Sequence, residues 1–133
     1  GRRKLRDVIK AAKGAGFAPD LIVSSPYRRC VETADLLAQM LSHKEQLVLS
    51  DALVPEGSPD EVWTELRAYR EMEAVLLVSH EPLIGHLFGY LLGTPSLLVD
   101  FKKGALARID IDSFGPRPRG VFRYFLPPKL AGE

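Results

Sequence analysis

The spacing of apolar residues along the 133-residue chain switches repeatedly between a helical period and short continuous runs. Apolar residues three and four positions apart predict four helices, over 2–13, 28–41, 58–69 and 82–92. Short apolar runs predict buried strands at 21–24, 47–49 and 74–79, and alternating patterns predict two late strands at 105–111 and 121–126. The segment 116–120, with two prolines and a glycine, is typical of a connecting loop.

The order of these elements predicts an α/β fold. Helices and strands alternate over most of the chain, which favours a three-layer α/β/α arrangement with a mostly parallel central sheet. The apolar run 74–79 is uninterrupted, as expected for a strand that helices cover on both faces. A fold of this kind usually begins with a strand, whereas this chain opens inside a helix. We therefore expect residues 1–133 to form a single domain lacking its N-terminal strand.

The amino-acid composition excludes several classes of protein. With 46% hydrophobic and 26% charged residues, the chain resembles ordinary folded proteins and not disordered ones. A single cysteine, Cys30, excludes a disulfide within the chain and a cysteine-rich zinc site. No apolar run approaches the roughly 20 residues that span a bilayer, and the start lacks the apolar core of a signal peptide. We expect a cytoplasmic protein with no membrane partner.

Charge is distributed unevenly although the net charge is only +1. Residues 1–30 carry eight basic and two acidic side chains, residues 31–100 carry three and twelve, and residues 101–133 carry seven and three. A nucleic-acid-binding domain would be strongly basic overall, so no nucleic-acid partner is expected. The basic ends either decorate solvent-exposed faces or meet around an anionic ligand, and charge alone leaves both interpretations open.

Candidate chemistry follows two of the predicted strands. Ser25 and Arg29 come after the strand at 21–24, and His80 and Glu81 come after the strand at 74–79. Ligands of open α/β sheets bind beyond the carboxyl ends of the strands, and helix starts attract anions. Arginine donates a planar pair of hydrogen bonds to phosphate, and histidine titrates near neutrality. Arg29 and His80 thus predict a phosphate pocket, against the alternative of a solvated arginine and a structural histidine.

Other catalytic motifs are not supported. His80 and His86 are six residues apart, about 240° around a helix, whereas zinc-binding helices place their histidines four apart. Glycine-rich nucleotide loops are absent from the sequence. We expect neither a metal nor a cofactor, and we expect His86 and His43 at the surface or partly buried. Cys30 lies near the start of a helix, where its pKa could fall, but no relay partner is evident and a structural role is favoured.

Two segments resemble the histidine phosphatase superfamily, also called phosphoglycerate-mutase-like. Residues 25–34, S-P-Y-R-R-C-V-E-T-A, resemble its S-P-x-x-R-A-x-Q-T-A segment, and residues 75–82, V-L-L-V-S-H-E-P, resemble its second histidine segment. The H-E-P form and residues 101–107 are most similar to SixA-type phosphohistidine phosphatases. The resemblance implies a phosphatase that works through a phosphohistidine intermediate. The alternatives are a relative acting on small metabolites as phosphatase or mutase, and a non-catalytic module that binds phosphorylated ligands.

The resemblance also implies roles for particular residues. Arg29 matches the second phosphate-clamping arginine and His80 the second pocket histidine, with Ser25 and Glu81 beside them as substrate-binding residues. Glu56 falls near the position of the proton-donating acid in larger members. The expected substrate is a phosphohistidine protein or a small phosphate ester. The R-H-G signature, which supplies the nucleophilic histidine at the end of the first strand, does not occur in the 133 residues. The family pattern and the element order therefore point to the same missing strand.

Overall fold

The computed structural model describes residues 2–128, in which helices and strands alternate as predicted. In chain order the elements are α1 (Arg2–Gly14), β1 (Leu21–Ser24), α2 (Arg28–Met40), β2 (Val48–Leu49), α3 (Pro59–Ala68), β3 (Val75–Val78), α4 (Leu83–Leu91), β4 (Leu106–Ser113) and β5 (Arg119–Leu126). A single 3-10 turn at Asp51–Leu53 was not indicated by any pattern. Strand β5 begins at Arg119, so the predicted loop at 116–120 is shorter than expected.

Three parallel strands form the central sheet, in the order β2-β1-β3. Val23 of β1 lies opposite Val48 on one side and Leu77 on the other. Strands β4 and β5 pair with each other in an antiparallel hairpin and form a separate two-stranded sheet. The predicted parallel sheet is confirmed. Both late strands are present as predicted, and within residues 2–128 no ladder joins them to the parallel sheet.

Two apolar clusters on opposite faces of the sheet confirm the three layers. Successive side chains of a strand point to opposite faces. Ile22 accordingly packs with residues of α1 and α2, whereas Leu21 and Val23 pack with residues of α3 and α4. The side chain of Trp63 on α3 is buried, stacks on Phe114 with ring centroids 5.4 Å apart, and donates from Nε1 to the Gly115 carbonyl at 3.1 Å. Helix α3 is thereby tied to the turn of the β4–β5 hairpin.

Local sequence explains where α3 begins. The Ser58 hydroxyl accepts the backbone N–H of Glu61 at 3.4 Å, and Pro59 occupies the first helical position, as the sequence predicts. Asp60 and Glu61 lie in the first turn and Arg67 in the last, which complements the helix dipole. Among the helices of residues 2–128, none is long and apolar enough to cross a bilayer.

Candidate active site

Ser25 and His80 meet where β1 and β3 end. The backbone N–H of Ser25 donates to the Val78 carbonyl at 2.9 Å, which extends the ladder by one residue and fixes a fully buried hydroxyl. That hydroxyl lies 2.8 Å from Nε2 of His80 and accepts the N–H of Tyr27 at 3.2 Å. With one lone pair so engaged, the hydroxyl can donate its own proton to Nε2. The arrangement suits a neutral imidazole protonated at Nδ1.

Cys30 is the second neighbour of His80, which corrects the expectation that this thiol has no relay partner. Its Sγ lies 3.3 Å from Nε2 of His80 and donates to the Ser79 carbonyl at 3.4 Å. Burial raises the pKa of the Cys30 thiol, although a hydrogen bond with Ser25 opposes the shift. The helix start therefore does not lower the pKa of this thiol, which agrees with the structural role favoured from the sequence. A neutral thiol beside a neutral imidazole orients the ring and is a poor nucleophile.

Burial also lowers the pKa of His80, since the charged imidazolium loses solvent at this position. The negative charge of Glu56 acts in the opposite direction but is the smaller effect. His80 is accordingly neutral at neutral pH in the unliganded protein. An anion placed beside the ring would favour the charged form, so ligand binding and protonation of His80 are coupled.

Arg29 lies in the first turn of α2, one residue before Cys30, with an exposed side chain. It lines the same cavity as Cys30 and His80. Arg28 differs from it, because the Arg28 side chain lies in solvent and pairs with Glu32 at 3.8 Å, four residues along the helix. Tyr27 is the residue before α2, and its side chain makes no capping hydrogen bond to the helix. The N–H of Cys30 already donates to the Tyr27 carbonyl at 3.0 Å. The N–H groups of Arg28 and Arg29 are therefore the ones at this helix start that an anion can use, next to a guanidinium.

The backbone N–H groups at the start of α4 are less available to an anion than those at the start of α2. The Glu81 carboxylate accepts the backbone N–H of Gly85 at 2.6 Å and so covers this helix end with its own negative charge. The Glu81–Pro82 peptide bond is cis. Of the two helix starts expected to attract an anion, only that of α2 is open. The substrate-binding role given to Glu81 stays a prediction, and its carboxylate is engaged with its own helix.

Glu56 and Tyr27 form the outer side of the site. The Tyr27 hydroxyl donates to Oε1 of Glu56 at 3.3 Å, and the Tyr27 ring meets the His80 ring edge-on with centroids 5.1 Å apart. The loop carrying Glu56 packs tightly, because a Cβ at Gly57 would overlap the Ala52 carbonyl oxygen. Sequence reasoning placed Glu56 near the acid position but missed Tyr27, which occupies an undefined position of the matched segment. An aromatic residue three positions after a predicted strand was the one signal that the sequence offered.

Metal-binding residues do not gather at this site. Across residues 2–128, no three side chains among histidine, cysteine, aspartate and glutamate are close enough together to hold an ion. His86 lies on the exposed side of α4, and His43 is half-buried beyond the end of α2. Neither belongs to the cluster around His80.

Comparison with known proteins identifies the fold. No protein-family model matches the chain, and no curated protein sequence does. Among solved structures, the protein histidine phosphatase SixA complexed with tungstate aligns with a TM-score of 0.84 and 25% identity, over 98% of this chain and 82% of that one. A protein of Agrobacterium tumefaciens provisionally assigned as the phosphohistidine phosphatase SixA aligns with a TM-score of 0.76 and 22% identity, over 96% and 79%. The chain thus has the fold of the histidine phosphatase superfamily, and its structural neighbours there are of the SixA type.

Proposed function

We propose that this protein is a SixA-type phosphatase that removes the phosphoryl group from phosphohistidine on a protein, through a phosphohistidine intermediate of its own. The observation that carries the proposal is the contact between the Ser25 hydroxyl and His80 at the open start of α2, the helix whose first turn contains Arg29. An imidazole, a guanidinium and free backbone N–H groups together match the oxygens of a phosphoryl group. The structural neighbour complexed with tungstate, a tetrahedral oxyanion, supports this interpretation.

The reaction has two displacement steps at phosphorus. A neutral histidine nitrogen attacks in line, the bond from phosphorus to the substrate nitrogen breaks, and the departing imidazole keeps its electron pair and takes a proton. Water then attacks the phosphohistidine of the enzyme and releases phosphate. Arg29 and His80 would bind the equatorial oxygens, which carry the charge in a loose transition state. Ser25 and Cys30 would act through His80, by holding its ring in place.

Glu56 is the candidate source of the proton for the leaving group. The Tyr27 hydroxyl fixes its carboxylate beside the His80 ring, on the outer side of the site. A phosphohistidine substrate needs little help from an acid, because imidazole leaves readily once protonated. A phosphate monoester needs more, since an alkoxide is a poor leaving group. Glu56 should therefore matter more for esters than for phosphohistidine.

The attacking histidine is not among the three histidines of the chain. His80 is used as a phosphate ligand, and His43 and His86 lie away from the site. The resemblance to the family leads us to expect this nucleophile on an R-H-G strand that is not among residues 1–133. Without such a strand the residues present would bind phosphorylated ligands without turning them over. This favours the non-catalytic binding module as the second candidate function. The cytoplasmic setting stays a prediction.

Turnover and anion binding test the proposal together. In the complete gene product, Arg29→Ala and His80→Ala should each reduce kcat/KM on a phosphohistidine protein at least tenfold, about 1.4 kcal/mol of transition-state stabilisation. Arg28→Ala is the matched control, because this neighbouring arginine pairs with Glu32 in solvent, and it should leave the rate within twofold.

Tungstate binding to the 133-residue chain, measured by calorimetry, separates the two candidate functions. Tungstate binding that requires Arg29 and His80, together with turnover by the complete product, supports the phosphatase. The same binding with no turnover of phosphohistidine or p-nitrophenyl phosphate supports the binding module. A preference for p-nitrophenyl phosphate over phosphohistidine would indicate a small-ester substrate. Equal tungstate affinity in Arg29→Ala, His80→Ala and Arg28→Ala would refute the site.

A further inference from the structure

Tyr27 is an exposed aromatic residue that is held in place by both its backbone and its side chain. Its backbone N–H donates to the Ser25 hydroxyl at 3.2 Å, and its carbonyl accepts the N–H of Cys30 at 3.0 Å. Its side-chain hydroxyl donates to Oε1 of Glu56 at 3.3 Å. Tyr27 is nevertheless 46% exposed, although its ring also meets that of His80. A ring fixed in this way loses little conformational freedom when a ligand covers it, so Tyr27 is suited to contact a ligand.

The location of Tyr27 determines which part of a substrate it can reach. Resting on the proposed function, the phosphoryl group lies against His80, whose ring centroid is 5.1 Å from that of Tyr27. The imidazole of phosphohistidine is bonded directly to phosphorus, so this ring lies next to the phosphoryl oxygens. A histidine on another protein must enter from solvent, and Tyr27 and Glu56 form the outer side of the site. The imidazole of the substrate is therefore brought beside the Tyr27 ring.

The chemistry of the Tyr27–Glu56 pair favours an aromatic leaving group. Aromatic rings attract one another in offset or edge-on packing, with centroids about 4.5–7 Å apart. An imidazole that leaves as a protonated ring carries a positive charge, which an aromatic face and a nearby carboxylate both attract. The negative charge of Glu56 reaches this position, where it is the main reason that the pKa of the Tyr27 hydroxyl is raised. A small leaving group such as ammonia offers no ring for Tyr27 to contact.

We propose that Tyr27 is a specificity-determining residue, whose ring packs against the imidazole of the substrate and selects phosphoryl compounds that carry a ring over those without one. This role differs from the positioning of Glu56, because the ring contacts the substrate whereas the hydroxyl contacts Glu56. Tyr27→Phe keeps the ring and removes the hydroxyl, and Tyr27→Leu removes both. The two variants therefore separate the role of the ring from that of the hydroxyl.

Phosphonate binding to the 133-residue chain tests the ring contact without turnover. Phenylphosphonate carries a ring directly on phosphorus, as phosphohistidine does, and methylphosphonate carries none. Both have a carbon–phosphorus bond that water does not cleave. Calorimetry should show that the parent chain binds phenylphosphonate about three to ten times more tightly than methylphosphonate, as expected for one aromatic contact. Tyr27→Leu should bring this affinity ratio close to one, and Tyr27→Phe should keep the parent ratio.

A second tyrosine–glutamate pair provides the matched control. The Tyr69 hydroxyl donates to Oε2 of Glu65 at 3.2 Å, and Tyr69 packs against the core cluster beneath α3. Tyr69→Phe removes the same kind of hydrogen bond there and should keep the parent affinity ratio. Equal affinity of the parent chain for the two phosphonates, or a parent ratio in Tyr27→Leu, would overturn the proposal. A ratio lost to the same extent in Tyr27→Phe would also overturn it, because the hydroxyl and not the ring would then be responsible.

Turnover by the complete gene product separates this proposal from the proposed function. Free phosphohistidine and phosphoramidate share a phosphorus–nitrogen bond, and only phosphohistidine carries a ring on its nitrogen. Tyr27→Leu should lower the ratio of kcat/KM for phosphohistidine to that for phosphoramidate by about threefold or more, whereas a merely structural role would lower both values alike. Phosphonate selectivity that requires Tyr27, with no turnover of either compound, contradicts the phosphatase and supports the ring contact. Absence of phosphonate selectivity overturns the ring contact, whatever the turnover.

Discussion

His80 is the residue whose surroundings explain most of the site. Its ring contacts the Ser25 hydroxyl, the Cys30 thiol and the Tyr27 ring. The negative charge of Glu56 raises the pKa of His80, against the larger effect of burial. All of these contacts favour one ring position, and burial favours the neutral form. A neutral imidazole held in this position and protonated at Nδ1 can donate a hydrogen bond from Nδ1 to a phosphoryl oxygen.

The lowered pKa of His80 predicts how stability depends on pH. The pKa in the folded protein lies below the ordinary value of 6.5 that the unfolded chain keeps. Between the two values the unfolded state binds more protons, so the free energy of unfolding decreases as pH falls through 6.5 toward the folded pKa. Denaturant titrations from pH 7 to 5 should show this loss in the parent protein and a smaller one in His80→Gln. His86→Gln alters an exposed histidine and should keep the parent slope; an unchanged slope in His80→Gln would contradict the assignment.

The sequence predicted several of the site residues, but it did not predict the contacts between their side chains. Arg29, His80 and Ser25 follow strands whose apolar runs are evident in the sequence, so their location at the sheet edge could be predicted. The Tyr27–Glu56 pair spans 29 residues and the Cys30–His80 pair spans 50. Contacts over such separations depend on how the elements pack, which hydrophobic periodicity does not encode. Cys30 was for this reason judged to have no partner.

At the scale of the elements, helix starts determine where an anion can bind. Ser58 caps α3, as its sequence predicts, whereas α2 begins with no side-chain cap and α4 is covered by Glu81. The capping of α3 was predictable because serine and its partner amide lie three residues apart. The covering of α4 by the residue two positions before it was not expected, because Glu81 matched a family motif and was interpreted as a ligand.

Removing the Glu81 carboxylate should expose the start of α4. Glu81→Ala should lower the free energy of unfolding by about 1 kcal/mol, since a backbone N–H loses its acceptor. The same change should strengthen tungstate binding severalfold, because a negative charge beside the site is lost. Calorimetry and denaturant titration measure both effects. Glu71→Ala, at an exposed position after α3, should produce neither effect. Weaker tungstate binding by Glu81→Ala would instead show that this side chain is a ligand, as the family motif suggested.

At the scale of the whole molecule, the β4–β5 hairpin is held by side-chain contacts, both aromatic ones and the packing of Ile109 and Ile111 against the core. Phe88 of α4 meets Phe101, Phe122 and Phe125 edge-on, with centroids 5.6 to 6.4 Å apart. The Trp63–Phe114 stack holds the turn of the hairpin. Because β4 shares no ladder with β3 in the described residues, these side chains substitute for sheet hydrogen bonds. The sequence predicted both late strands from their alternation but could not show that they lie apart from the parallel sheet.

This attachment predicts that the hairpin opens separately from the rest of the fold. Phe88→Ala removes the ring shared by three aromatic contacts and should cost about 3 to 5 kcal/mol. Amides of 106–113 and 119–126 should then exchange at least tenfold faster than those of 21–24 and 75–78, since the parallel sheet keeps its own partners. Leu37→Ala opens a cavity in the cluster beneath α2 and is the matched control: it should destabilise the parallel sheet without freeing the hairpin selectively. Equal acceleration of both sheets in Phe88→Ala would mean that the molecule opens as one unit.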